Sequence, residues 1–179
     1  MNIQTKNKAK ELYEKIKDYD LSKVIQRHRK VANISLEEAE NRANELKKWL
    51  VLSKSNNEKK YQITGNIDKI WHTFLVFTKE YHDFCGELGG FIHHIPTDTD
   101  LLRRAKNNPD LLEQLNERFN QDYGNVLSDY EIVFETLPPS GIWPNVINPF
   151  GRTYDPGSNT GGGCSDNTCG CGNSGNLPH

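Results

Sequence analysis

The sequence predicts an all-α protein, a single compact bundle of about six helices with a central buried helix. Three observations predict this class. Apolar residues recur every three or four positions through most of residues 7 to 137. No stretch alternates apolar and polar residues for long enough to require a strand. The 179 residues suffice for one core.

Three helices are predicted at the start of the chain. Residues 7 to 18 place an apolar stripe among strong helix formers, and Asp20 is a suitable N-cap for a second helix. The third helix opens at Ser35, with Glu38 three residues later, which is the pattern of a capping box. Residues 55 to 60 then form a polar loop.

A fourth, continuous helix is predicted from Asn66 to the glycine-rich stretch at 86 to 90. It is apolar around much of its circumference, so it should be buried in the middle of the molecule. Its apolar positions include Ile67, Ile70, Trp71, Phe74, Phe77, Tyr81, Phe84 and Leu88.

Two further helices follow Pro96 and Thr97, one in the segment DTDLL and one starting at Asn108 and Pro109. The segment SDYEIVFETL forms a last amphipathic piece. We therefore expect a helical domain over residues 1 to 137, then a strap of prolines and aromatics at 138 to 150 that packs on it through Trp143 and Phe150. A Gly/Cys-rich tail at 151 to 179 should be disordered, because it cannot bury enough apolar area.

Composition restricts the classes of partner. No apolar run approaches the ~20 residues of a membrane span, and the first ten residues lack the apolar core of a signal peptide, so we expect a cytoplasmic protein. Residues 1 to 60 carry a net charge of +6 and residues 61 to 179 a net charge of −8. The bases of the first part alternate with acids, which is typical of a solvated helix face and disfavours nucleic acid as a partner.

Asp68 and His72 are the strongest local indication of chemistry. They lie four residues apart, the interval at which a carboxylate on a helix can hold one ring nitrogen of a histidine and orient the other. The pair is a candidate for catalysis, with His72 as general base. The alternative is a buried histidine whose hydrogen bond only satisfies the core.

A second group could bind a metal ion. His82 and Cys85 are three residues apart on one helix face, and the glycine-rich turn could fold His93 or His94 back over the helix end as a third ligand. In the tail, Cys164, Cys169 and Cys171 are spaced C-x4-C-x-C. This departs by one residue from iron–sulfur spacing, but soft thiolates with loose spacing suit zinc or copper(I).

The stretch around the Trp-His pair resembles the glycine-rich domain-containing-protein-like family, as a short bacterial member. The resemblance covers residues 30 to 145 by order of features. Phe74 stands where plant members have a second histidine. Membership implies the location of a site but little chemistry. The matching residues are Asp68, Trp71 and His72 in DKIWHTF, Tyr81 and Cys85 in YHDFC, and Gly90 and His94 in GGFIHHIP.

The leading functional hypothesis is a helical binding protein for a transition metal, zinc or copper, or for a small ligand, around the Trp-His helix and the cysteine tail. Whether the protein is an enzyme stays open. The alternatives are a metal-dependent enzyme that uses His72 oriented by Asp68, a module that binds a protein partner through the tail, and a peptide substrate whose tail cysteines are modified. The chain contains no phosphate loop, dinucleotide fingerprint or H-E-x-x-H motif.

Overall fold

A computed structural model describes residues 1–63, 65–95 and 98–144, which form seven α-helices and no strand. The predicted all-α class is confirmed. Within these residues no helix has the length and apolar character that crossing a bilayer requires. The helices are α1 (Ile3–Ile16), α2 (Ser22–Ala32), α3 (Leu36–Ser55), α4 (Gly65–Val76), α5 (Thr78–Glu87), α6 (Thr99–Ala105) and α7 (Pro109–Phe134).

Two of the predicted helix starts, at Ser35 and Asn108, are confirmed by their caps, whereas the N-cap of α2 is Leu21 and not the predicted Asp20. The Ser35 hydroxyl accepts a 3.0 Å hydrogen bond from the amide of Glu38 at the start of α3. The Asn108 side chain accepts one of 3.1 Å from the amide of Leu111 in α7. These starts are readable from sequence because the first amides of a helix need a nearby polar acceptor, which short polar side chains supply.

Helix α3 occupies the centre of the bundle, where it packs against α1, α2, α4 and α7. The sequence predicted this position for the Trp-His helix instead. The apolar pattern was misleading because α3 also buries charged side chains, and these have hydrogen-bond partners inside the fold. Lys47, for example, is 5% exposed and donates to the carbonyls of Lys17 and Tyr19 at 2.7 and 2.8 Å. A lysine that caps a neighbouring helix does not mark a solvent face.

The predicted continuous helix from Asn66 onward is wrong. It is two helices, α4 and α5, which meet at Phe77, where ψ is 65°. Phe74 and Phe84 would lie about 15 Å apart along one helix, yet their rings are 5.4 Å apart. The bend therefore allows two aromatic residues to pack on each other, and periodicity missed it because both halves keep their apolar spacing.

The C-terminal part of the described chain also differs from the prediction. The last amphipathic piece belongs to α7, which runs without a break from Pro109 to Phe134. Beyond it, Trp143 is 0% exposed and donates a 2.7 Å hydrogen bond from Nε1 to Glu45 of α3. Phe150 and the tail from 151 to 179 lie outside the described residues.

Candidate metal centre

Asp68 is the centre of the candidate site. It lies in the first turn of α4 and is 4% exposed. The positive end of the helix dipole favours a carboxylate at this position. Removal of the carboxylate from water nevertheless costs free energy unless donors or a cation replace the lost solvent.

Two imidazoles face the Asp68 carboxylate. His72 Nδ1 lies 3.0 Å from Oδ2, as the four-residue spacing predicted. His94 Nε2 lies 3.1 Å from Oδ1, although it is 26 residues further along the chain. The structure therefore brings His94, which the sequence offered as a ligand elsewhere, to the predicted Asp68–His72 pair.

The glycine turn brings His94 to the site. Gly89 and Gly90 have φ values of +83° and +134°, which residues with a side chain rarely adopt. The Gly90 amide donates to the carbonyl of Cys85 at 2.8 Å, so the chain reverses at the end of α5. The following segment then runs back to the first turn of α4.

A hydrogen-bonded aromatic pair fixes the returning segment. The Tyr81 hydroxyl donates to the carbonyl of Ile92 at 2.6 Å and accepts a hydrogen bond from Trp71 Nε1 at 3.2 Å. Burial, the largest cause, raises the pKa of Tyr81, so its phenol keeps the proton that it donates. The His94 ring packs against Trp71 and His72, with centroids 4.7 and 4.4 Å apart.

The three side chains have the composition and spacing of a metal site. Their candidate ligand atoms all lie within 4.8 Å of one another. Two ligands of a tetrahedral ion, each about 2.0–2.1 Å from it, lie about 3.3 Å apart, so small side-chain shifts would complete the geometry. The His72 and His94 side chains are 34% and 15% exposed, so solvent can reach the group.

The other predicted ligands lie apart from this group. His82 is 80% exposed in its side chain and lies 3.8 Å from Asp83. Cys85 is buried, and His93 is exposed with its ring against Phe91. Within the described ranges, no other set of three His, Cys, Asp or Glu side chains converges as closely. Cys164, Cys169 and Cys171 lie outside those ranges.

Sequence reasoning missed the partnership of Asp68 with His94. Two signals were available, the consecutive glycines that permit a reversal and an aromatic residue on each side of the turn. They did not determine which end of the preceding helix the chain would reach. That depends on the bend at Phe77, which has no signature in the apolar pattern.

The fold and site define an all-α protein with an Asp/His₂ cluster at the start of a helix. Comparison with protein families gives a match to the UCP032817-like family over residues 11–121, more than half of the chain. The protein therefore belongs to the UCP032817-like family. No curated protein and no solved structure matches it.

The resemblance to the glycine-rich domain-containing family is wrong, because the family match is to a different group and covers residues 11–121. The motif behind the resemblance was short. Residues of this motif form the Trp71–Tyr81 hydrogen bond and the Asp68–His94 contact. A packing requirement of this kind can recur in unrelated helical proteins, so the motif did not identify a family.

Proposed function

We propose that this protein binds one divalent transition-metal ion through Asp68, His72 and His94. The observation that carries the proposal is the convergence of two imidazoles from separate segments on one buried carboxylate, at 3.0 and 3.1 Å. The ion would take the place of the protons between these atoms. His72 would bind it through Nδ1 and His94 through Nε2.

The ligand set favours zinc or ferrous iron. Two histidines and one carboxylate form three-ligand sites for both ions and leave at least one coordination position open. Copper(I) prefers thiolate and thioether ligands, and the cluster contains no sulfur ligand. Capture of zinc or copper by Cys164, Cys169 and Cys171 is a separate proposal that rests on the sequence alone, as does a cytoplasmic location.

The competing interpretation is a cluster in which the two histidines only satisfy Asp68 through hydrogen bonds. Solvent access favours the metal, because a purely structural cluster has no need of an imidazole that is 34% exposed. The hydrogen bonds around the cluster favour it too. Positions of metal-binding histidines are commonly fixed by neighbouring hydrogen bonds, and the Tyr81–Ile92 bond fixes the segment that carries His94.

Calorimetric titration of the metal-stripped full chain with zinc and with anaerobic ferrous iron tests the proposal. We expect one ion per chain at the described site and a loss of affinity of about 100-fold or more in Asp68→Asn and in His94→Gln, since each replaces a direct ligand by a neutral amide and even partners that only orient ligands contribute about 10-fold to 100-fold. His93→Gln is the matched control, because His93 is adjacent, exposed and outside the cluster. Equal affinities for His93→Gln and His94→Gln would overturn the proposal.

The tail thiols need a second control in the same titration. Cys164, Cys169 and Cys171 could bind zinc by themselves. A triple Cys→Ser variant of these positions should therefore retain the ion that Asp68→Asn loses. If the triple variant loses all zinc while Asp68→Asn loses none, the site lies in the tail and the proposal fails.

A metal-dependent enzyme is a second proposal, and one observation favours it. His72, a proposed ligand, also lines an open cleft of about 790 Å³. A small molecule in this cleft would contact His72, whereas Asp68 and His94 do not line the cleft. In that case His72 would act as a ligand and not as the general base that the sequence suggested.

A further inference from the structure

The cleft beside the metal centre is lined by cationic side chains from three helices. Arg27 comes from α2, Arg42 from α3 and Lys69 from α4, and among the residues that the structure describes no Asp or Glu lines the cleft. Arg27 and Lys69 are exposed, whereas Arg42 is 8% exposed. We propose that this cleft binds a small organic anion, one with a phosphate or carboxylate group next to an apolar body.

Arg42 is the central residue of the proposed site. Its Nη2 donates to Glu38 at 2.6 Å, and its Nη1 faces His28 Nε2 at 3.4 Å. Its Nε is buried and has no hydrogen-bond partner within the part of the chain that the structure describes. A buried guanidinium donor without an acceptor costs free energy, so a small shift of the Arg42 side chain that lets an anion in the cleft accept from Nε would recover it.

His28 holds the guanidinium in position. Because Arg42 can only donate, His28 Nε2 must accept, and the ring proton lies on Nδ1, 3.2 Å from the Thr73 hydroxyl. Thr73 in turn donates to the carbonyl of Lys69 at 3.0 Å. This chain of contacts gives Arg42 a fixed orientation before any ligand arrives. A group that is already oriented loses less entropy on binding.

Apolar side chains at the rim of the cleft are the reason why we expect the ligand to have an apolar body. Val31 and Val76 line the cleft and are 68% and 71% exposed, among the most exposed large apolar side chains described. Ala32 and Ile34 extend the same apolar wall. A volume of about 790 Å³ accommodates a small organic molecule. Glu38 neutralises part of the Arg42 charge, so Arg27 and Lys69 supply much of the net positive field.

Anion binding deepens the proposed function but does not depend on the metal. His72 belongs to both sites, so an anion held in the cleft would contact one residue of the proposed metal centre. The cationic groups of the cleft belong to Arg27, Arg42 and Lys69, which are not among the proposed metal ligands. Metal-stripped protein should therefore bind the anion as well, which allows the two proposals to fail separately.

Calorimetric titration of the metal-stripped full chain with four probes tests the ligand class. The probes are inorganic phosphate, butyl phosphate, butyrate and butanol. We expect saturable binding of butyl phosphate that is stronger than that of phosphate, because its alkyl group covers apolar surface, and none of butanol. The ratio between butyl phosphate and butyrate tells phosphate and carboxylate ligands apart.

Matched substitutions on α2 test the location. Arg27→Gln should weaken butyl phosphate binding about 10-fold to 100-fold, the range for loss of a hydrogen bond to a charged group. Arg29→Gln removes the same charge two residues away, also at an exposed position, but Arg29 does not line the cleft. It should leave the affinity within about twofold, as expected for a charge in high dielectric. Arg42→Lys, which keeps the charge but loses the planar donors, should weaken binding as Arg27→Gln does.

Two outcomes would overturn the inference. One is the absence of saturable binding for phosphate, butyl phosphate and butyrate in a protein whose circular dichroism shows intact helices. The other is equal weakening by Arg27→Gln and Arg29→Gln, which would indicate non-specific attraction. Loss of zinc binding in Asp68→Asn with unchanged anion affinity supports both proposals. Anion binding without any metal binding would support the cleft alone.

Discussion

The phenol of Tyr81 donates a 2.6 Å hydrogen bond to the carbonyl oxygen of Ile92, two residues before His94. Tyr81 is 2% exposed, and it also accepts a hydrogen bond from the indole of Trp71. A single buried hydroxyl thus connects α4, α5 and the returning segment. It determines where the His94 imidazole lies relative to Asp68.

Tyr81→Phe should therefore weaken zinc binding although it removes no ligand. Without the hydroxyl the Ile92 carbonyl loses its donor, and the segment that carries His94 gains freedom that binding must remove. Groups that orient metal ligands typically contribute about 10-fold to 100-fold in affinity. Calorimetric titration with zinc measures the change directly.

Tyr19→Phe is the matched control for Tyr81→Phe. The Tyr19 hydroxyl also donates to a backbone carbonyl, that of Glu80, at 3.2 Å. Glu80 lies in the first turn of α5, at the opposite end of that helix from the glycine turn, so this hydrogen bond holds no part of the His94 segment. Zinc affinity should stay at the parent value in Tyr19→Phe. A similar loss in both variants would attribute the effect to general stability.

The ring tautomers of the two histidines give a second prediction. In the metal-free protein the hydrogen-bonded nitrogens, Nδ1 of His72 and Nε2 of His94, should carry protons toward Asp68. Zinc at these atoms should leave the protons on His72 Nε2 and His94 Nδ1. Long-range ¹⁵N–¹H spectra distinguish these tautomers. An unchanged tautomer pattern after addition of zinc would contradict the proposed ligand atoms.

Local and distant parts of the structure differ in how far the sequence predicts them. The helix caps and the Asp68–His72 contact follow from spacings of three and four residues, which a helix converts directly into contacts. The His94 contact spans 26 residues and depends on a bend and a turn between the two segments. Apolar periodicity is the same on both sides of Phe77, so it carries no information about that bend.

The anion cleft was not predictable from the sequence for a related reason. Arg27, Arg42 and Lys69 come from three helices and share no motif. Each is, in sequence, one of many charges on an amphipathic helix, and only the packing of α2 and α4 against α3 groups them. The burial of Arg42 depends equally on tertiary contacts, here with His28 and Glu38.

Trp143→Phe should destabilise the protein because it removes a hydrogen bond to the buried carboxylate of Glu45. The indole Nε1 donates to Glu45 Oε2 at 2.7 Å, and Glu45 is 5% exposed. The substitution leaves that oxygen without this donor in a buried position, which costs about 1–3 kcal/mol beyond the loss of ring volume. Urea denaturation followed by circular dichroism measures the free energy of unfolding.

Trp49→Phe separates the hydrogen bond from the ring in this experiment. Trp49 is 6% exposed, and its Nε1 has no hydrogen-bond partner in the described structure. Its replacement loses a similar ring volume but no hydrogen bond. We expect Trp49→Phe to cost less than Trp143→Phe, and the difference measures the contact with Glu45. Equal costs would show that the indole–carboxylate bond contributes little.

His28 makes the stability of the protein depend on pH. Burial, followed by the positive charge of Arg42, lowers the pKa of His28 to about 4 in the folded chain, against 6.5 without these influences. Between pH 6.5 and 4 the His28 imidazole binds a proton in the unfolded chain but stays largely neutral in the folded chain. The free energy of unfolding therefore falls as the pH drops from 6.5 toward 4. Between pH 6.5 and 5 this contribution is about 2 kcal/mol.

His28→Gln, which cannot titrate, should lose less stability than the parent over this interval in urea denaturation, because the other titrating groups are common to both proteins. Parallel stability profiles for the parent and His28→Gln would mean that His28 has the same pKa in the folded and unfolded chains, which would contradict the lowered pKa of the buried imidazole.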